Sequence, residues 1–216
     1  MFDQEANANL NHHISLEEIH SVLNYFAKDK CLSPNGWTVE LFLHFFDLMG
    51  GTLRDMVDES HIRRSIFGSI KATFIALIPK VSTPVSFSEF KPISLCNIVY
   101  KIISKVISKR IKGVLLVHIS NEQFGFLIGK SLHDAISITQ ECVHSIHTKK
   151  EEAFVMKNDL QRAYDCVDYR LLRLILIKIG LEYGNVKWIM ACVTNIWLAI
   201  LINGYPTKFF RAHKGL

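Results

Sequence analysis

The chain has 216 residues, 49% of them apolar and 21% charged, with a formal net charge of +5. That is enough to bury a substantial core, and the composition excludes a disordered or low-complexity chain. The five cysteines (Cys31, Cys96, Cys142, Cys166, Cys192) stand far apart with no C-x-x-C pair, which excludes a zinc ribbon and points to reduced thiols in an intracellular protein.

The opening residues, MFDQEANANLNHH, lack a basic start followed by an apolar stretch, so no signal peptide is expected. A helix is predicted over SLEEIHSVLNYFAK. Ser15 and Glu18 form a capping box, Ile14 and Ile19 can staple the first turn, and Ile19, Val22, Leu23 and Phe26 share one face. Ser33–Gly36, SPNG, reads as a turn. TVELFLHFFDLMGG predicts a second helix ending at Gly50, and TLRDMVDESHI a third. ATFIALIPK and KPISL read as extended segments joined by a loop.

From Asn97 to Leu116 a long helix is expected, with Ile103, Val106, Ile107, Ile111 and Val114 on one side. Lys101, Lys105, Lys109 and Lys112 recur on another side. Ser131 and Asp134 cap the next helix. A strand is predicted over Phe154–Leu160, then helices near Asp168–Ile179 and Asn185–Ile196. Last comes a hairpin turning at Asn203-Gly204. This order is α+β, with no regular βαβ alternation. The longest apolar run, Trp188–Ile202, is broken by Thr194 and Asn195 and is shorter than the roughly 20 residues of a membrane span. It is assigned to the core, with no membrane role and with a nuclear or cytoplasmic location left open.

Charge is concentrated. Between Val99 and Lys150 eight Lys/Arg face three Asp/Glu, which accounts for the whole net charge. Such a patch suits a polyanion, and equally a solvated helix face. The paired histidines, His12 with His13 and His144 with His147, have no carboxylate or cysteine completing a metal set, so they read as solvated or core residues.

The stretch richest in chemistry is MKNDLQRAYDCVDYRLL, Met156–Leu172. Two readings stand open on its residues alone. Asp159 can be a metal-binding carboxylate backed by Tyr164, or a strand-end residue, with Asp165 and Asp168 capping the helix that follows.

Five blocks stand in one order: FIALIPK, FSEFKPISLCNIVYKIISKVISKRIK, SNEQFGFLIGKSLHDAI, KNDLQRAYDCVDYRLL and NGYPTKFFRAHKGL. Together they resemble the reverse transcriptase domain of plant LINE-type non-LTR retrotransposons, from about Ser15 to Leu216. The resemblance implies an RNA-directed DNA polymerase (a nucleotidyltransferase) with a right-hand fold. It would comprise a helical N-terminal extension or fingers base (1–70), fingers with the basic helix (71–150) and a partial palm (151–216). It implies Mg²⁺ as cofactor and an RNA template with a DNA primer as partners. Asp159 would be the first catalytic, metal-binding carboxylate, with the Leu160 carbonyl beside it. Two Mg²⁺ ions must clamp the primer oxygen and the nucleotide phosphates, which calls for hard carboxylate oxygens. Tyr164 falls where an aromatic excludes a 2′-hydroxyl, and Lys80 and Lys91 where cations meet the triphosphate. Gln123, Phe124, Gly125 and Lys130 match the template-contacting block, and Lys101, Lys105, Lys109 and Lys112 would face nucleic-acid backbone.

The chain also departs from that pattern. Lys91 and Lys130 replace usual arginines, keeping charge and losing the bidentate fork. Asn158 replaces an apolar residue on the strand face shared by Phe154, Met156 and Leu160, so a buried, unpaired amide is expected there. SPNG stands for a more glycine-rich, acidic turn. The family's next two blocks, carrying its other two catalytic aspartates, lie beyond Leu216. The expectation is therefore a truncated, degenerate copy of a transposable element, inactive as these 216 residues. The alternatives are a non-catalytic nucleic-acid-binding remnant and a pseudogene product without function.

Overall fold

The computed structural model of the chain describes residues 2–27, 33–34, 36–120, 122–125, 129–150, 152–160 and 163–215. Cys31, Asn35 of the SPNG turn, Phe126–Ile128 of the third block, and Gln161 and Arg162 between Asp159 and Tyr164 lie outside the described residues.

Helix α1 (Gln4–Asn11), unforeseen in the sequence, is capped by Asp3, whose carboxylate accepts from the Ala6 amide at 2.8 Å. Eight residues make a marginal helix in water, and tertiary contacts hold this one. Asn7 donates to the Gly180 carbonyl (2.9 Å) and accepts from the Glu182 amide (2.9 Å). Helix α2 (Leu16–Tyr25) follows the predicted pattern: the Ser15 hydroxyl accepts from the Glu18 amide, and Ile14, Ile19, Val22 and Leu23 are buried.

Helices α3 (Val39–His44) and α4 (Phe46–Arg63) divide at Phe45, and α4 runs straight through Gly50 and Gly51. The expected stop at Gly50 is corrected by packing. A Cβ there would lie 2.9 Å from the Phe46 ring, so this glycine is a notch that seats an aromatic one turn earlier.

Strand β1 (Ala72–Pro79) pairs antiparallel with β2 (Phe90–Cys96), Ile75 opposite Ser94 and Ile78 opposite Lys91. Helix α5 (Ile98–His118), capped by Asn97, buries Ile102, Ile103, Val106 and Ile107. Helix α6 (Leu132–Lys149) opens on the predicted Ser131/Asp134 capping box and buries none of its side chains. Helices α7 (Tyr169–Lys178) and α8 (Tyr183–Val193) follow, then β3 (Trp197–Ile202). The apolar run from Trp188 thus splits at Thr194–Asn195 into a helix end and a strand. No helix among the described residues is long and apolar enough to cross a membrane.

The β3 strand joins β4 (Tyr205–Pro206) through Asn203 and Gly204, both at positive φ (51° and 83°), the two-residue turn read from the sequence. The sheet order is β2-β1-β3-β4, with β1 and β3 parallel, and β5 (Phe210–Arg211) pairs with the start of β3. Helices and a mixed sheet make the fold α+β.

One core runs through α1, α2, α4, α5 and α8 and draws on both ends of the chain. Trp188, 2% exposed, donates its indole N–H to the Ser60 hydroxyl and lies 4.5 Å from the His61 ring. His61 donates from Nε2 to the Leu10 carbonyl (3.1 Å). Burial, with the nearby Arg64 and Arg110 charges, lowers the His61 pKa to about 4. Arg64 closes α4 and donates to Asn185 and Asn11, tying α4 to α8 and α1. The buried Lys71 ammonium donates to the Ala191 and Thr194 carbonyls at the end of α8, where the helix dipole favours a cation.

The predicted strand over Phe154–Leu160 does not form. Residues 152–160 have no regular structure and every one is exposed, Phe154 at 102%. Asn158 is therefore solvated, and the expected buried amide is corrected. The pattern alternates, but a strand needs neighbours for its backbone groups, and no strand among the described residues pairs with this stretch.

Candidate nucleotide and nucleic-acid site

Strand pairing brings the two lysines of the first blocks to one end of a hairpin. Ile78 opposes Lys91 and Pro79 opposes Phe90, so Lys80 leaves β1 just where Lys91 enters β2. The loop between them is ordered by its own polar groups. Glu89 accepts from the Val85 (2.7 Å) and Ser86 (3.3 Å) amides, and the Lys80 amide donates to the Glu89 carbonyl at 2.7 Å. The Lys80 ammonium donates to the Ser88 carbonyl (2.9 Å) while staying exposed. Both cations thus stand at the solvent tip of a rigid hairpin.

The two readings of the aspartate stretch separate. Asp168 is the cap of α7: its carboxylate accepts from the Arg170 (2.7 Å) and Leu171 (3.3 Å) amides, and the Arg170 amide in particular lowers its pKa. Asp165 caps nothing. It lies in a short 3-10 turn, Tyr164–Cys166, above a cavity of about 400 Å³ between the turn and the sheet. Ile75, Ser94 and Cys96 of the sheet and Tyr100 of α5 line it, together with Asp165 and Lys214. Pleat alternation puts Lys91 on the opposite face of β2 from Ser94 and Cys96, so Lys91 and the Tyr164 turn are not brought together on one face. Asp159 and Leu160 precede the turn in the exposed, unpaired segment.

The third block folds back on itself. Gln123 donates its side-chain amide to the Gly125 carbonyl (3.2 Å), and the Lys130 ammonium lies 5.9 Å from the Phe124 ring and donates to the Ser120 carbonyl. Four of the sequence-derived residues, Gln123, Phe124, Gly125 and Lys130, are therefore neighbours in space.

The basic helix behaves differently from the expectation of a free row facing nucleic acid. Lys105 sits 3.3 Å over the Tyr25 ring and Lys109 donates to the Ser21 hydroxyl (2.8 Å), so both turn toward α2. Lys101 and Lys112 are half-buried on the same helix. Arg110, which the lysine pattern passed over, is the most engaged cation. It holds Glu18 through two N–H groups (2.9 and 2.6 Å) and donates to the Leu10, His12 and His13 carbonyls. Its adjacency to Lys109, and the capping Glu18 on α2, were the signals available in the sequence.

The family model for Reverse transcriptase (RNA-dependent DNA polymerase) matches residues 78–215. The chain belongs to the reverse transcriptase family. A curated relative, the Transposon TX1 uncharacterized 149 kDa protein of Xenopus laevis, is 26% identical over 159 residues, covering 74% of this chain. The chain spans 12% of that relative's length. The matched span of the reverse transcriptase domain takes in Lys80, Lys91, the template block and the aspartate stretch, whereas α1 through α4 and most of β1 precede it.

Reverse transcriptases as a family work with divalent metal, which calls for several hard oxygen donors. Among the described residues no three His, Cys, Asp or Glu side chains come together to hold an ion. Asp159 is a lone, solvated carboxylate, and the other carboxylates of its neighbourhood are a helix cap and a cavity wall. These residues do not by themselves fit a Mg²⁺ site, because one carboxylate leaves the ion most of its water shell.

Proposed function

We propose that this reverse transcriptase segment serves RNA-templated DNA synthesis as part of a retrotransposon protein of plant LINE type. In this reading it supplies fingers and the first part of a right-hand palm. The division remains 1–70 as helical base, 71–150 as fingers and 151–216 as partial palm. Lys80 and Lys91 bind the triphosphate of an incoming nucleotide by point charge, without the bidentate geometry arginine would give, and the nucleotide must reach round the hairpin from their face to the Tyr164 turn on the other. Tyr164 meets the sugar, and Asp159, with the Leu160 carbonyl, would supply oxygen ligands to a metal only in company with further carboxylates. Gln123, Phe124, Gly125 and Lys130 contact the template strand, whose partner is a DNA primer.

The observation that carries this reading is the hairpin. Its register delivers two exposed cations to one tip, inside the matched span and ahead of the aspartate stretch. A binding-only remnant that relies on the α5 lysines is less well supported, because Lys105 and Lys109 are spent on α2. The test is retention of a labelled deoxynucleoside triphosphate by the 216-residue chain. Lys80→Gln with Lys91→Gln is expected to weaken it at least tenfold with the fold intact. Equal retention by the double variant contradicts the assignment.

A further inference from the structure

We propose that Phe87, at the tip of the β1–β2 hairpin, is a stacking platform for an unpaired base of a single-stranded nucleic acid. The tip carries its apolar surface in the open. Val85 is 91% exposed and Phe87 89%, with Ile78 and Val81 at 47% each. A bare aromatic ring on a loose loop must be ordered by whatever it meets, at an entropic cost. Here the loop is ordered beforehand by its own polar groups. Ser86 and Glu89 cap each other around the 3-10 turn Phe87–Glu89, and the Phe90 amide closes that turn on the Phe87 carbonyl. The Glu89 carboxylate also accepts from the Val85 amide, and the Ser86 and Ser88 hydroxyls share a bond of 2.7 Å. Bonded residues thus flank Phe87 on both sides while its side chain stays in solvent.

Charge selects the class of partner, since an apolar tip alone would suit a protein pocket as well as a nucleobase. From Ile78 to Ile93 the charged residues are Lys80, Glu89 and Lys91. The carboxylate is occupied by two backbone amides, and both lysines are exposed at the same end of the hairpin. Lys80 gives one donor of its ammonium to the Ser88 carbonyl and keeps the others for phosphate oxygens. An exposed ring beside free cations matches a single strand: phosphates take the point charges, and a base presents its π face to the ring. Within a duplex those faces are already stacked, so the tip favours unpaired nucleotides. The inference rests on nucleic acid being the partner of this segment, as proposed above, and adds an aromatic contact to the charged ones.

The test measures binding of the 216-residue chain to a labelled oligodeoxythymidylate and to an abasic strand with the same phosphates and no bases, by fluorescence anisotropy over a range of salt. Phe87→Ala is expected to weaken binding of the base-bearing strand about tenfold and that of the abasic strand less than about twofold, with the salt dependence unchanged. Phe87→Trp is expected to retain the affinity, and Phe87→Leu, apolar but without a π face, to lose most of it. Lys80→Gln with Lys91→Gln is expected to flatten the salt dependence on both strands alike. Because Phe87 is so exposed, the unfolding midpoint of each Phe87 variant should match that of the unaltered chain. Equal binding of the base-bearing strand by Phe87→Ala overturns the proposal and leaves the tip to a protein partner. An equal loss on both strands, or no binding of either strand by the unaltered chain, overturns it as well. Retention of dTTP tests the triphosphate role of the lysines separately: if that fails while the two strands still differ at Phe87, the stacking role stands without it.

Discussion

The helical core and the stretch from α6 to the Tyr164 turn both carry apolar residues at regular spacing, yet they end in opposite states. In the core, α1, α2, α4, α5 and α8 bury each other's stripes, and the polar groups that enter are all but completely paired: Trp188 with Ser60, His61 with Leu10, Arg64 with Asn11 and Asn185. In the other region, α6 buries nothing and Phe154, Met156 and Leu160 stand in solvent, although their spacing alternates as a half-buried strand should. The difference teaches that periodicity states which face wants cover. It does not state whether the same chain provides that cover.

The largest expected effect lies in the core. Trp188→Ala removes a 2%-exposed indole and its bond to the Ser60 hydroxyl, which keeps its own bond to the Val57 carbonyl, and should cost about 3–5 kcal/mol, measured by denaturant unfolding. A loss below about 1 kcal/mol would dissolve the contrast between the regions. Arg110→Ala should cost about 2 kcal/mol, since it leaves Glu18 half-buried and frees the His12 and His13 carbonyls, while the Leu10 carbonyl keeps His61. Because these partners lie in the N-terminal helices, the loss should appear in unfolding.

Acid should reveal the same core. His61 has its folded-state pKa depressed from 6.5 to about 4, chiefly by burial and then by Arg64 and Arg110. The unfolded chain therefore binds the proton more readily than the folded one between those values. The stability that neutral His61 contributes is complete above pH 6.5 and is lost as pH falls toward 4. His61→Gln, which can still donate to Leu10, should flatten the pH dependence of unfolding across that window. The smallest effects belong to the exposed stretch, where Phe154→Ala and Asn158→Leu should each leave stability within about 0.5 kcal/mol. A rise of more than about 1 kcal/mol for Asn158→Leu would instead place that residue on a buried strand face.

Much of the fold was readable because its signals are local. Ser15, Asn97, Ser131 and Asp168 cap the helices they precede, and Asn203-Gly204 turns its hairpin. What was not readable depends on distant partners. Helix α1 has only Ala6 and Leu10 as apolar buried positions and is held by the α7–α8 turn, which no window of its own sequence contains. Gly50 looked like a stop until the Phe46 ring was seen over it. Lysines at helical spacing on α5 looked like a nucleic-acid face, and α2 with Tyr25 and Ser21 claimed two of them. The site was legible as a set of blocks through the family resemblance. The close approach of the Gly215 backbone to Asp165 was not, since only the folded chain shows it.

The proposed role of Asp159 is that of a polymerase carboxylate, which the described residues do not complete to a metal site. Primer extension on a primed RNA template with Mg²⁺ and deoxynucleotides tests it most directly, run on this chain and on the chain continued with the corresponding following residues of the frog relative. The account predicts no incorporation above background by the 216 residues, and incorporation by the extended chain that Asp159→Ala abolishes. Asp159-dependent synthesis by the unextended chain, or synthesis by the extended chain that ignores Asp159→Ala, would contradict it.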